Sequence, residues 1–160
     1  MAKSKTTRAG SVTVTNIDLG AARLVAQLAM PIFIEAGILE EEGQQIKTGT
    51  VDSTVAEVAT VHEFGAPDKN IPARSFLRST VDEHLGYYPE IAAAVNSVIS
   101  GAATIAAMAT VGEKVEKDIV DKIEKGIGPS LSPITVQRKG HSTPLIDTEQ
   151  LINSISSKVI

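Results

Sequence analysis

The chain has no cysteine and no tryptophan, and aromatic residues fill only 3% of its 160 positions. Without cysteine there can be no disulfide, thiolate nucleophile, iron–sulfur cluster or cysteine zinc site. Three Phe and two Tyr leave few platforms on which bases could stack, which argues against single-stranded nucleic acid as a ligand. An excess of positive charge is missing too. Fifteen Lys and Arg stand against 19 Asp and Glu, a formal charge of −4, so no general phosphate-binding surface is expected. The uncharged stretch Ile91 to Val111 has the 21 residues a membrane span needs. Its content is wrong for lipid: Asn96, Ser97, Ser100, Gly101 and Thr104 interrupt a run that is otherwise mostly alanine. It reads as a soluble helix that packs closely through small residues. No apolar run follows the basic residues Lys3, Lys5 and Arg8, so no secretory signal and no membrane partner are expected. The protein is expected to be made in the cytoplasm.

What is there is an ordinary globular balance, 42% apolar and 21% charged, at a length that suits one domain. Residues 1–10 read as a flexible basic arm, either simply solvated or touching nucleic acid or an acidic partner. Residues 11–160 read as a single α+β domain, a small antiparallel or mixed sheet packed against two or three long helices. Strands are expected at Val12 to Ile17 and Ile32 to Leu39, with a helix between them capped by Asp18 and ended near Pro31. Glu40 to Gly43 reads as an exposed turn, and Thr54 to Val61 as either a strand or a short helix. From Ala73 the apolar spacing is helical through Val98, interrupted at Gly86 and Pro89. A further stripe runs from Ile105 through Met108, Val111, Val115, Ile119 and Ile123 to Ile127. Its opposite face carries Glu113 with Lys117, Asp118 with Lys122 and Asp121 with Lys125, a solvated face of weak pairs. Ser132-Pro133 opens a short helix that Gly140 closes; Asp147 caps another, with Gln150 reaching back, before a last strand over Ile155, Ser157 and Val159.

No motif of this chain assembles a reaction centre. His62-Glu63 begins like a zincin helix, but position 66 is Ala66, so the second imidazole is missing, and His84 and His141 stand at no ligand spacing. Neither G-x-S-x-G nor a phosphate-cradling glycine loop occurs. No catalytic, metal-binding or cofactor-binding residue is assigned. The unusual segment is Glu63-Phe64-Gly65-Ala66-Pro67 through Ile71-Pro72-Ala73-Arg74-Ser75-Phe76-Leu77-Arg78. Pro67 and Pro72 fix its path, while Phe64, Ile71 and Phe76 can anchor it to a core or to a neighbouring chain. Two readings stand side by side. In one it is a tight loop entering a helix, with Arg74 and Arg78 on the exposed face; in the other those guanidinium groups pair with carboxylates of another subunit.

The same segment, Val61-His62-Glu63-Phe64-Gly65-Ala66-Pro67 with Ile71-Pro72-Ala73-Arg74-Ser75-Phe76-Leu77-Arg78, resembles the "HEFG…IPARPFLR" stretch of the virion-morphogenesis, or tail-completion, proteins of tailed bacteriophages. A second block, Leu131 to Gly140 followed by Pro144 to Ile155, is similar to the family's "LSPxTxxRKG…PLIDTGQLxxSI". The departures are Ser75, where the family usually has Pro, and Glu149, where it usually has Gly; Glu149 leads to the expectation of an ordinary capped helix start. The resemblance implies a structural protein of the virion, a neck subunit at the head–tail junction. It implies a homo-oligomeric ring, a hexamer or a multiple of six, between the portal-side connector and the tail terminator or tail tube. Genomic DNA would pass through without specific binding. The near alternative is the tail terminator capping the tail tube; a small nucleic-acid-binding or hydrolytic morphogenesis factor is the remote one. Phe64, Gly65, Pro72, Arg74, Phe76 and Arg78 are the candidate subunit interface.

Overall fold

The computed structural model describes residues 6–9, 12–15, 19–49, 52–140, 145 and 149–160. In chain order the elements are β1 (Thr6–Ala9), β2 (Val12–Thr15), α1 (Leu19–Leu28), β3 (Ile34–Ile38), α2 (Glu40–Gly43), α3 (Val55–Phe64) and α4 (Arg78–Glu83). Then follow α5 (Tyr88–Ile99), α6 (Thr104–Lys125), α7 (Pro133–Lys139), α8 (Gln150–Asn153) and β4 (Ile155–Val159), an α+β fold.

The long apolar stripe falls on α6. Met108, Val111, Val115, Ile119 and Ile123 are all buried there, whereas Ile105, the first residue of the stripe, is exposed. Burial of each such side chain contributes about 1.5–3 kcal/mol, which makes α6 the spine of the core. Strands β3 and β4 pack on it as an antiparallel pair in the register Ile34↔Val159 through Ile38↔Ile155. Phe33 and Ile160 continue the ladder with reciprocal 2.9 Å backbone hydrogen bonds. Gly112 lies at the meeting of helix and sheet. A Cβ there would stand 2.9 Å from Ser157 Oγ and 3.4 Å from Ile34 Cγ2, so only a hydrogen atom admits this approach. Helix α5 covers another side of α6 through buried Ala94 and Val98.

The uncharged stretch Ile91 to Val111 is therefore two helices rather than one, broken at Ser100 to Ala103. Among the described residues no helix is long and apolar enough to cross a membrane. The expected interruption near Gly86 and Pro89 is present as a 3₁₀ turn, Leu85–Tyr87, between α4 and α5. Between Thr54 and Val61 the helix wins over the strand because a capping box starts it. Thr54 Oγ1 accepts from Glu57 N (3.2 Å), and Glu57 Oε2 accepts from Thr54 N (2.8 Å). Glu40 to Gly43 is a single helical turn, α2, rather than an exposed turn; Gly43 is buried, and a Cβ on it would meet that of Ala56 at 3.2 Å. Helix α7 starts at Ser132, whose hydroxyl accepts from Thr135 N, and ends at Gly140, as expected.

Two expectations at the chain ends need correction. Asp147 lies outside the described residues, and Gln150 does not reach back along its helix. Its side chain donates to Ile46 O (3.0 Å) and accepts from Thr48 N (2.8 Å), tying α8 to the segment before α3. Glu149 is no ordinary cap, since its φ of 58° is left-handed. Residues 1–5 and 10 of the expected arm lie outside the described residues, but Thr6–Ala9 is a strand, paired with Val12–Thr15 from Thr6↔Thr15 to Ala9↔Val12. The two strands lie on either side of residue 10, and their β-branched Thr6, Thr7, Val12, Thr13 and Val14 suit a pleated strand.

Candidate interaction site

Helix α3 ends at Phe64, and Gly65, with φ 78°, turns the chain back on itself. A Cβ on Gly65 would lie 2.8 Å from Ala73 N and 3.0 Å from Ile71 O, so the two limbs of the loop close here only around glycine. The limbs are joined again by the bridge Ala66↔Ile71 around a 3₁₀ turn at Pro67–Lys69, and by Arg74 N donating to His62 O (2.6 Å).

The knot of the loop is Glu63, only 4% exposed. Its Oε1 accepts from Ser75 Oγ (2.5 Å) and Arg78 N (3.2 Å); its Oε2 accepts from Phe76 N (2.8 Å) and Leu77 N (3.0 Å). Three of these donors are the backbone N–H groups that lead into α4 and have no helical partner of their own. Burial pushes the Glu63 carboxyl up, but the four hydrogen bonds outweigh it and hold it below the ordinary value of 4.5. The entry is tightened further by Ser79 Oγ donating to Ser75 O and by Thr80 Oγ1 donating to Phe76 O (2.6 Å).

This arrangement sorts the six candidate interface residues. Phe64 is 66% exposed, and Pro72 and Arg78 are exposed too. Phe64 and Arg78 line one surface pocket of about 310 Å³ with Ile38 and Thr60. Arg78 makes no ion pair among the described residues. Phe76, at 0% exposure, is core and not contact surface. Arg74 is also corrected. It precedes α4 instead of sharing an exposed helical face with Arg78, it is 5% exposed, and its Nε donates to Pro129 O (3.0 Å). Burial draws its pKa below the ordinary arginine value. Gly65 serves the backbone turn.

The Arg74–Pro129 bond links the loop to the chain segment just before the second sequence block. His62, Pro72 and Arg74 on one side and Leu131, Ser132 and Thr135 on the other line a single cleft of about 750 Å³. Leu145 and Leu151 also contribute to its wall. The two stretches are more than fifty residues apart in sequence and adjacent in space.

A second cluster was not legible. Asp118, on the face of α6 expected to be simply solvated, accepts from Tyr87 Oη (3.2 Å) and Lys114 Nζ, and His84 Nε2 lies 3.5 Å away. The His84 and Tyr87 rings stack at 5.0 Å. Burial first, then the Asp118 charge, pushes the Tyr87 phenol pKa up. The ion pairs of this face also run opposite to expectation. Lys114 pairs with Asp118, Lys117 with Asp121 (2.6 Å), and Lys122 leaves the helix for Glu83 (2.5 Å). Once Asp118 turns toward α4 and the 3₁₀ turn, the lysine one turn before it is the base within reach.

Among the described residues no three His, Asp or Glu side chains gather as a metal site. No protein-family model, curated protein or solved structure matches this chain.

Proposed function

We propose that the protein is a structural subunit of the phage virion, a neck or tail-completion protein that assembles into a ring between the head and the tail. The observation that carries this reading is the meeting of the two resembling sequence blocks. They enclose one cleft, and the residues they share with the family pattern do identifiable structural work: Glu63 ties the loop, Gly65 turns it, Arg74 reaches Pro129, and Ser132 and Gly140 bound α7. Two blocks that meet in one folded unit support reading them together. Glu149 adds to it, since its left-handed φ is the conformation that the family's usual glycine adopts without strain.

With the loop tied from inside, Phe64, Pro72 and Arg78 are presented outward on a rigid support. That suits a contact repeated from subunit to subunit, where a ring needs two different patches on each copy. The neighbours in this reading are the portal-side connector and the tail terminator or tail tube. The test is deletion of the gene, electron microscopy of the resulting particles, and addition of purified protein. Full heads and separate tails that join on add-back are expected; overlong or uncapped tails would make the protein a tail terminator, and normal infectious particles would overturn the structural reading.

A further inference from the structure

Both sheets in the described residues have two strands, and both are incomplete. A two-stranded hairpin is marginal in water unless something packs on it or extends it. The β1–β2 hairpin pairs over four residues, and no other described element packs extensively against it. The β3–β4 pair does pack on α6, but β3 is an edge. Since Phe33 and Ile160 form a hydrogen-bonded pair, strand alternation places Ile34, Ala36 and Ile38 in the non-bonded positions. Their N–H and C=O groups point away from β4.

That open edge borders a groove. It measures about 800 Å³ and is lined by Ile34 and Ala36 of β3, by Val81 of α4, by Ile91 of α5 and by Met108 and Val111 of α6. No residue of β4 lines it, so it lies beyond the outer edge of β3, with α6 as its floor and α4 and α5 as its far wall. A strand laid there would extend the ladder and drop alternate side chains onto α6, the geometry of strand addition. The groove mouth leaves Met30, Phe33, Val81 and Ile91 exposed.

We infer that the outer edge of β3 is a strand-acceptor site and that its occupant is the N-terminal hairpin of a second copy of this chain. The hairpin has the matching chemistry: β2 is Val-Thr-Val-Thr, alternating apolar and polar, and residues 1–11 carry Lys3, Lys5 and Arg8 with no acid. The acceptor side carries exposed Glu35 on β3, and exposed Asp82 and Arg78 of α4 line the groove. Donation from copy to copy is a head-to-tail contact. This inference rests on strand chemistry and not on the neck reading, and purified protein tests it without any particle.

Because the chain lacks cysteine, one introduced thiol is unique. Thr13→Cys and Glu35→Cys proteins, mixed and treated with a short bis-maleimide, are expected to give the mixed dimer in preference to either homodimer. Ala36→Pro removes an N–H that faces the open edge and leaves the bonds to β4 intact, a position where proline is tolerated. It is expected to lower mixed-dimer yield about tenfold, a loss of about 1.4 kcal/mol, and to shift light-scattering mass toward monomer with the thermal midpoint unchanged. Val14→Pro, in the donor hairpin, should do the same. Three results would overturn the inference: cross-linking that both prolines leave unchanged, cross-linking within one chain of the double-cysteine protein at high dilution, or a monomer that never cross-links.

Discussion

Glu63 and Asp118 are both carboxylates that gather several donors, and they do opposite things. Glu63 is satisfied by three backbone N–H groups and one hydroxyl from a run of four residues. Asp118 is satisfied by side chains alone, a phenol from the α4–α5 corner and an ammonium from its own helix, with the His84 imidazole 3.5 Å away. Backbone donors cannot rotate away, so Glu63 dictates the path of a loop. His84 and Lys114 are half-exposed and can turn to water when Asp118 is lost, so it trims a corner whose packing is already set by buried Tyr87. A buried acceptor facing fixed donors is the costlier one to remove.

Glu63→Gln sharpens this contrast most. Its amide group would face two of the four donors, and a loss of about 3 kcal/mol in urea unfolding is expected. The pH dependence has the same origin. The Glu63 carboxyl is held below 4.5, so its contribution is complete above the unfolded-state value and fades as pH falls through the folded one. Wild type should lose stability steeply below about pH 4.3, and the difference between wild type and Glu63→Gln should shrink there. Gly65→Ala comes next, at about 1–3 kcal/mol, since the new Cβ meets Ala73 N at 2.8 Å with φ at 78°. Asp118→Asn should cost only about 1 kcal/mol and lower the Tyr87 phenol titration part of the way, because burial remains. Equal losses from Glu63→Gln and Asp118→Asn would break the comparison. Arg78→Glu should change stability by less than about 0.5 kcal/mol while abolishing tail joining in the add-back assay. Reversal at Arg74 is no surface test, because that guanidinium is buried.

The parts legible in the sequence were those with local causes. The α6 stripe, Ser132-Pro133 with Gly140, and the break at Gly86 each carry their reason within a few residues. Two signals were present and unread. Thr54-x-x-Glu57 is a capping box that settles the helix over the strand, and Gly10-Ser11 between β-branched runs is a hairpin spacing. In sequence Glu63 shows only as half of a failed zinc motif and as the first residue of the loop. A carboxylate in the last turn of a helix opposes the helix dipole, and that local cost was the hint that it answers to something beyond its helix. The partner donors lie 12 to 15 residues on, a separation no periodicity reports. The orientation of Asp118 and the inward turn of Arg74 depend on tertiary neighbours, Tyr87 and Pro129, and had no local trace. Ser75 is the instructive departure: a proline there would lack the hydroxyl that Glu63 receives from it.

The tie between Glu63 and residues 75 to 78 has one more consequence. It closes the loop at its base, so the entropy of bringing the two helices together is already spent before the tip, Pro67 to Asn70, is considered. Each doubling of such a loop costs only about 0.6 kcal/mol more. The tip is thus an exchangeable cassette on a fixed socket, and a lineage can rewrite what this finger touches without renegotiating the fold that holds it.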